Sequence, residues 1–529
     1  MVVQSDDVDA SLLAGGPDQT VEKASFQFAF LLTSTFFVFQ LFAILHHELW
    51  RDELQPWMLA RHSYSISQLI ALKAYEGHPD GWFLIVYAIT RVTANPLGMK
   101  LIHVLIATAT VYVLAHYSPF TRLQKTLLVF GYFLFFEYAT ISRNYALGVL
   151  FAFIFCAMYR PGPRKTYLLL AIPLALLCQT SVYGVMIAFS FTLVLLFEGI
   201  GSSESRRFIK ANAWRVVCGA IILLASVSLS ALHMLPPQDG AMPQPSWVDH
   251  SLKSFARCLS LFWNSFVPIP RFSEHFWATN ILWDANALHG HGALLFLVPL
   301  SIAICGVSIL FFVRKPVVMW AYICGLGALI LFKYLIHLGQ VRHDGHAFIL
   351  FLACLWLARA FPNERGLPPS LDRIANGFAP FQERVLLALF SLHAAVGIGV
   401  NIAAFRVPFS EGKAVANFIR ARHMEQMPIV GHEDAPASTV AGFLDRDIYY
   451  LPEGRMGSYI VWDKKRVADN GKPAIEVASA EAVRRREEVL VILSYRAETL
   501  PPNAKELASF EHSMSGDYYY LYLAEPLGK

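Results

Sequence analysis

The chain has 529 residues, of which 55% are hydrophobic and only 16% charged, where a soluble protein carries roughly 25% charged residues. That balance excludes a soluble globular enzyme, and a net charge of +4 over this length gives no electrostatic footprint for nucleic acid. Seven cysteines are an odd number, and most sit in or at the ends of apolar runs, which argues against a disulfide framework.

Residues 1–24 are polar and lack the basic start of a signal peptide, so the first apolar run reads as an uncleaved anchor. Apolar runs then recur near 26–46, 98–117, 126–138, 145–159, 166–179, 181–199, 216–234, 292–313, 317–337, 346–361 and 384–405. A helix needs about 20 apolar residues to cross a ~30 Å hydrocarbon core. The extra run "GWFLIVYAITRV" (81–92) is short and contains Arg91, so by length it either crosses or lies at the interface. The basic loops decide. "SPFTRLQK", "RPGPRK", "EGIGSSESRRFIKANAWR", "VRKP" and "PNERGLPPSLDRIANGFAPFQER" all fall on the cytoplasmic side only if 81–92 does not cross and the N-terminus is cytoplasmic.

The prediction is a polytopic α-helical membrane protein with about eleven transmembrane helices, in three parts. Residues 1–24 form a cytoplasmic segment, and 25–405 a membrane domain with long outer loops at 47–97 and 235–291. Residues 406–529 form a small C-terminal α/β domain outside. In that tail "MPIVGHE", "EVLVILSY" and "DYYYLYLAE" read as buried strands, with the helical patterns "GKAVANFIRARH" and "AEAVRRREE" between them. Alternating strand and helix suggests a partly parallel sheet. No Gly-rich loop follows a strand, so no nucleotide is assigned, and no inverted repeat of the transporter type is evident.

Four polar clusters then face outward. They are "WRDELQPW" with Asp52 and Glu53; "AYEGHPDGW" with Glu76, His78 and Asp80; "FFEYATISRNYALG" with Glu137, Arg143 and Tyr145; and "GQVRHDGHAF" with Arg342, His343, Asp344 and His346. Each has an ordinary reading: solvated charges at a span end, a turn cap, a snorkelling arginine, interfacial histidines. Glu137 shifts the balance, because it follows "LLVFGYFLFF", where a charge is costly unless it is paired or lines a wet cavity. Carboxylates, guanidinium groups and imidazoles on one face suit the transfer of a phosphate-bearing group at the membrane surface.

An acidic pair after the first span, a later His-Pro element and the aromatic-rich "SRNYAL" at a span start resemble the GT-C superfamily of membrane glycosyltransferases. In style the pattern is similar to the protein mannosyltransferase-like and lipid A aminoarabinose transferase-like enzymes. The resemblance covers about 25–360 by architecture, with its specific motifs within 46–150 and a weaker echo at 339–350. It implies Asp52 as the catalytic acidic residue, with Glu53 beside it, and Glu137 as the second acidic position. Glu76 matches a position that is a metal ligand in some members, Arg143 matches the basic residue before the "Y-A-L" helix start, and Asp80 stands where many relatives carry a second proline.

The resemblance further implies an inverting transfer, in the plasma membrane, from a polyprenyl-phosphate sugar to a glycan, lipid or protein acceptor. Asp52 would act as base, and Arg143, Tyr145, Arg342 and His346 would bind substrate and phosphate. Glu76, His78 and His343 could hold a divalent metal, for which a mixed nitrogen and oxygen set suits zinc or manganese better than magnesium. Three other readings stand beside it. They are a transporter or flippase of a lipid-linked saccharide, a polysaccharide ligase without an acidic base, and a scaffold that displays the α/β tail.

Overall fold

The computed structural model describes residues 26–529 apart from 163–165, 202, 242–250, 274, 283–290, 365, 468–472 and 527–529. The expected segment 1–24, the last three residues of "RPGPRK" and parts of the 235–291 loop therefore lie outside the described residues.

The first helix, α1 (Phe26–His46), matches the first apolar run. The loop after it folds into α2 (Arg51–Arg61), α3 (Ile66–Lys73), a single 3-10 turn (Ala74–Glu76) and α4 (Gly81–Thr90). Then come α5 (Leu97–Tyr117), α6 (Arg122–Val129), a π-helical segment (Tyr132–Glu137), α7 (Tyr145–Met158), α8 (Tyr167–Cys178) and α9 (Val182–Gly201). The bundle continues with α10 (Ser203–Ala211), α11 (Ala213–Met234), α12 (Leu252–Ser260), α13 (His291–Leu310), α14 (Pro316–Leu335), α15 (Val341–Ala358), α16 (Pro369–Phe378) and α17 (Gln382–Ala404). Among the described residues, seven stretches are long and apolar enough to cross a membrane, and α7, α8 and residues 294–310 are shorter apolar helices. The chain is a multi-pass membrane protein.

The continuous span expected at 126–138 is instead α6 joined to the π-helix, with a break at Phe130–Gly131. π-Helical turns gather at functional sites, because they re-aim side chains. Two glycines let neighbouring helices press on this break. A Cβ on Gly397 of α17 would lie 2.4 Å from the Phe130 carbonyl oxygen, and one on Gly345 of α15 would lie 2.4 Å from both the Phe133 ring and the Tyr138 hydroxyl. α15 is the central post: 83% of its span is buried, against 17% for peripheral α11.

α4 settles the ambiguous run. Its ten residues extend about 15 Å, half the hydrocarbon thickness. The Gly81 N–H donates to the Gln179 carbonyl at the end of α8 (3.0 Å), and Arg91 beyond its other end donates to the Ala60 carbonyl of α2 (3.0 Å). Both ends are thus held at one end of the bundle, which places 81–92 in the loop layer.

After α17 the chain enters the C-terminal domain: α18 (Gly412–Ala421), β1 (Ile429–Gly431), α19 (Asp434–Leu444), β2 (Ile448–Tyr450), β3 (Arg455–Gly457), α20 (Ala474–Arg485), β4 (Val489–Leu493), β5 (Ala504–Phe510) and β6 (Tyr519–Ala524). The sheet order is β3-β2-β1-β4-β6-β5; β1 runs parallel to β2 and β4, and the remaining pairs are antiparallel. The three expected strands are β1, β4 and β6, and the sequence reading missed α19, β2, β3 and β5. The domain sits on the loop layer. Arg61 of α2 pairs with Asp445 at 3.1 Å, and the Trp277 N–H donates to the Met514 carbonyl at 3.1 Å.

Candidate active site

The chain leaves α1 at "HHELWRDELQPW" and restarts at once as α2. Glu53 makes that possible. Trp50 is the N-cap, and its N–H donates to Glu53 Oε2 at 3.0 Å. The same oxygen meets His47 Nε2 at 2.8 Å, and Glu53 Oε1 accepts the Ser142 N–H at 2.6 Å. Burial pushes the Glu53 carboxyl up, but His47 and these donors outweigh it, and the group titrates below its ordinary value. Expected among the catalytic residues, Glu53 has both oxygens committed to holding α2 against the π-helix loop.

Its neighbour Asp52 is different. Its side chain is 24% exposed, and Oδ2 lies 2.7 Å from Arg143 Nη1 and 3.3 Å from Arg342 Nη2. Arg51 approaches Oδ1 at 3.5 Å, and Arg143 also donates to the Asp52 carbonyl at 3.1 Å. Burial raises the Asp52 pKa, and Arg143, Arg342 and Arg51 more than offset that, leaving it below the usual carboxylate range. A sequence separation of 290 residues is closed at this carboxylate.

Arg342 lies against a pair of indoles. Its guanidinium carbon lies 5.3 Å from the Trp50 ring centre and 5.0 Å from that of Trp277, and the two indoles meet edge to face at 4.7 Å. Glu137 stands behind this stack. It accepts from Trp277 Nε1 at 3.2 Å and from the Tyr132 hydroxyl at 2.9 Å. The expected second catalytic carboxylate therefore fixes the indole that fixes Arg342. It is buried, with 2% of its surface exposed, and makes no contact with Asp52.

Glu76 and His78 close a second side. Glu76 Oε1 accepts from Gln55 Nε2 at 2.7 Å, and burial pushes its carboxyl up to about 7 although Gln55 pulls the other way. Burial, then Arg143 and Lys73, push His78 down to about 3, which leaves the ring neutral. The "GHPD" turn is anchored by Lys73, which is buried. Lys73 pairs with Asp80 at 2.8 Å and donates to the His78 carbonyl at 2.8 Å, and Asp80 also meets His233 at the end of α11. Asp80, the departure from the relatives' proline, is thus the acidic half of a buried anchor.

From α15, His343 Nε2 pairs with the Tyr145 hydroxyl at 2.9 Å, while His343 Nδ1 accepts the Gln340 N–H at 2.9 Å. The Tyr145 ring lies 5.7 Å from the Arg143 guanidinium. His346 stacks on Tyr183 at 4.5 Å and touches the Tyr138 hydroxyl at 3.3 Å. Beyond His343 lies a small cavity of about 20 Å³, lined by Phe262, Leu329, Ile330, His343, Asp344 and Lys333. Among the described residues, Arg342 Nε, Trp50 Nε1, His78 Nδ1 and His346 Nε2 are buried polar atoms without a hydrogen-bond partner.

The expected metal ligands Glu76, His78 and His343 do not assemble into a ligand set. Both ring nitrogens of His343 are engaged, and no group of three or more His, Cys, Asp or Glu among the described residues is placed to hold an ion. Asp52, Arg143 and Arg342, far apart in sequence, are neighbours in the structure. The sequence reading missed Trp50, Trp277 and Gln55. The aromatic density of "HFWATNILW" in the second long loop was the available signal for Trp277; Gln55, one uncharged amide inside a helix, gave none.

No family model and no curated protein matches the chain. Solved structures do. The chain is similar to ArnT from Cupriavidus metallidurans bound to undecaprenyl phosphate, at 11% identity, with a TM-score of 0.50 over 94% of this chain and 98% of that one. The apo structure of the same ArnT is 12% identical with a TM-score of 0.49, covering 94% and 98% of the two chains. Arabinofuranosyltransferase AftD from Mycobacteria is 11% identical with a TM-score of 0.35, covering 94% of this chain and 41% of that one. At this identity the ArnT likeness is one of fold. The chain shares the fold of that ArnT, membrane bundle and C-terminal domain together, as the resemblance in its sequence implied.

Proposed function

We propose that the chain moves a sugar from a polyprenyl-phosphate donor to an acceptor hydroxyl at the outer face of the membrane, with inversion at the anomeric carbon. The observation that carries this reading is the Asp52 carboxylate bridging Arg143 and Arg342, with Arg342 packed against the Trp50–Trp277 pair. The carboxylate occupies the place a phosphate oxygen would take between two planar donors. The unpartnered Arg342 Nε and Trp50 Nε1 are further donors beside it. Undecaprenyl phosphate bound to an ArnT of the same fold supports the class of lipid.

In this mechanism the donor phosphate draws Arg143 and Arg342 toward itself and releases Asp52. The acceptor hydroxyl attacks the anomeric carbon as its proton passes to Asp52. The bond from that carbon to the phosphate oxygen breaks, its electron pair going to the oxygen, where the two arginines stabilise the charge. That stabilisation is worth on the order of several kcal/mol in a water-poor site, and the base about 10²–10⁴-fold in rate. Glu137, Tyr132 and Trp277 hold Arg342 in register; Glu53 and His47 hold α2. No step is routed through a metal.

The site end faces outward in this proposal, and the N-terminus lies in the cytoplasm. The opposite end carries Arg122, Arg206, Arg207, Lys210, Arg215 and Arg314, as the positive-inside rule requires of a cytoplasmic face. The test uses the full chain in lipid nanodiscs with a panel of undecaprenyl-phosphate-linked pentoses and hexoses. Release of undecaprenyl phosphate with sugar transfer is expected for at least one donor. No turnover across the panel, with movement of a labelled lipid-linked saccharide across liposomes instead, would assign the chain to transport.

A further inference from the structure

One of the contacts between the C-terminal domain and the candidate site runs through Gln55. Gln55, on the second turn of α2, presents its whole amide to a backbone. Its Nε2 donates to the Ile460 carbonyl at 2.7 Å, and its Oε1 accepts the Ile460 N–H at 2.8 Å. The same Nε2 donates to Glu76 Oε1 at 2.7 Å. Gln55 is buried, with 6% of its surface exposed, so all of its polar capacity is turned inward. The pairing spans 405 residues and copies a strand-to-strand contact between the tail and the membrane part.

The segment around Ile460 is fastened at several other points. Ser458 Oγ meets His62 Nε2 at 3.3 Å, and the His62 and Tyr459 rings meet edge to face at 5.6 Å. The Ala241 N–H donates to the Trp462 carbonyl at 2.8 Å, and the Lys464 N–H donates to the Asp239 carbonyl at 2.9 Å. Asp239 in turn accepts from the Tyr75 hydroxyl at 3.0 Å, one residue before Glu76. Arg455 braces the segment from within the domain through Asp463 at 2.6 Å. Three outer pieces of the membrane part therefore converge on residues 458–464, and Gln55 is the one that also holds a carboxylate of the site.

We propose that Gln55 is a positioning residue that ties the 458–464 segment of the C-terminal domain to Glu76, so that this segment forms the acceptor-side wall of the active site. The inference rests on the glycosyl-transfer reading for its kinetic arm and is independent of it for its structural arm. A glutamine is suited to the task. A leucine of similar size would leave the Ile460 N–H and carbonyl and one Glu76 oxygen unpaired, and a glutamate would keep an acceptor for the N–H but repel Glu76.

The experiment compares wild type, Gln55→Leu and Gln55→Glu as full chains in nanodiscs. Hydrogen exchange is read at 457–464, and undecaprenyl phosphate release from the most active donor of the panel is read with water alone and with glycerol as a generic hydroxyl acceptor. Gln55→Leu is expected to raise exchange at the Ile460 amide at least about tenfold. It should also lower kcat/KM for glycerol about tenfold, with donor KM and release to water changed less than about twofold. Gln55→Glu, which keeps the acceptor for the Ile460 N–H and loses the Nε2 donor, should lower kcat/KM for glycerol likewise with a smaller rise in exchange, which covers the case in which the leucine variant does not fold. Unchanged exchange at 457–464 overturns the inference, as does an equal loss with glycerol and with water. If wild type releases no undecaprenyl phosphate from any donor, the glycosyl-transfer reading fails, and the exchange arm still decides the fate of Gln55.

Discussion

The two ends of the bundle carry charge in opposite ways. At the end that bears α2 and the C-terminal domain, ion pairs are buried and linked: Lys73–Asp80 at 2.8 Å has side chains 1% and 8% exposed. At the other end, Arg314–Asp372 has side chains 25% and 39% exposed, and Arg359–Glu383 lies at 3.7 Å with 53% and 59% exposed. Exposed pairs of that kind contribute about 0–1 kcal/mol each. Buried ones cost desolvation, and are kept where geometry has a use for them. The Lys73–Asp80 anchor holds its charges in fixed places beside the candidate site, whereas these two pairs at the other end stay in reach of solvent.

The contrast can be broken most severely at its buried anchor. Lys73→Met leaves Asp80 without its main counter-charge, and a loss of about 3–5 kcal/mol of stability is expected, read as a lower melting temperature in nanodiscs. Next comes Asp52→Asn, which keeps size and removes charge; donor turnover should fall at least about 100-fold, with a lower melting temperature because Arg143 and Arg342 lose their shared counter-charge. Turnover near that of wild type would take Asp52 out of the chemistry.

Glu53→Gln sharpens the comparison between sequence neighbours. It should cost about 1.5–3 kcal/mol at neutral pH, the range for hydrogen bonds to a charged group. The sign with pH follows from its folded pKa, which lies below the ordinary 4.5. Its stabilisation is complete above that ordinary value and is lost as pH falls through the lower folded one. The gap in melting temperature between wild type and Glu53→Gln should therefore close in acid. Arg342→Lys keeps charge and loses the planar fork against the indoles; donor affinity should weaken about tenfold, as one bidentate contact is worth about 1–2 kcal/mol. The smallest effect belongs to the other end: Arg314→Ala should shift stability by less than about 1 kcal/mol and leave turnover unchanged. A large loss there would erase the asymmetry.

How much of this was legible follows from the kind of signal each part emits. Spans announce themselves by length and apolarity, so α1, α5, α9, α11, α14 and α17 fall where the runs were read. Asp52, Arg143 and Arg342 were visible because a charge beside a span needs an explanation. What a charge touches was not visible. Asp52 and Glu53 are adjacent in sequence, and helical geometry sends adjacent residues to different faces, so one meets arginines and the other meets backbone. Glu137 attracted attention for being buried, and its partners Tyr132 and Trp277 show why it can be. In the tail, β2 and β3 are three residues long, too short for an alternating pattern, and α19 is rich in small residues whose burial comes from packing on α2. Trp50 and Trp277 read as membrane-interface aromatics, which by composition they resemble.

The spacing of the arginines along the chain also governs how the protein is made. Asp52 emerges first; Arg143 follows 91 residues later and Arg342 290 residues later. At about 5–20 residues per second, Arg342 trails Asp52 by roughly 15–60 s of synthesis. During that interval Arg51 and Arg143 face the carboxylate at the end of a half-built bundle. A nascent chain can therefore insert its early helices before this charge cluster is complete.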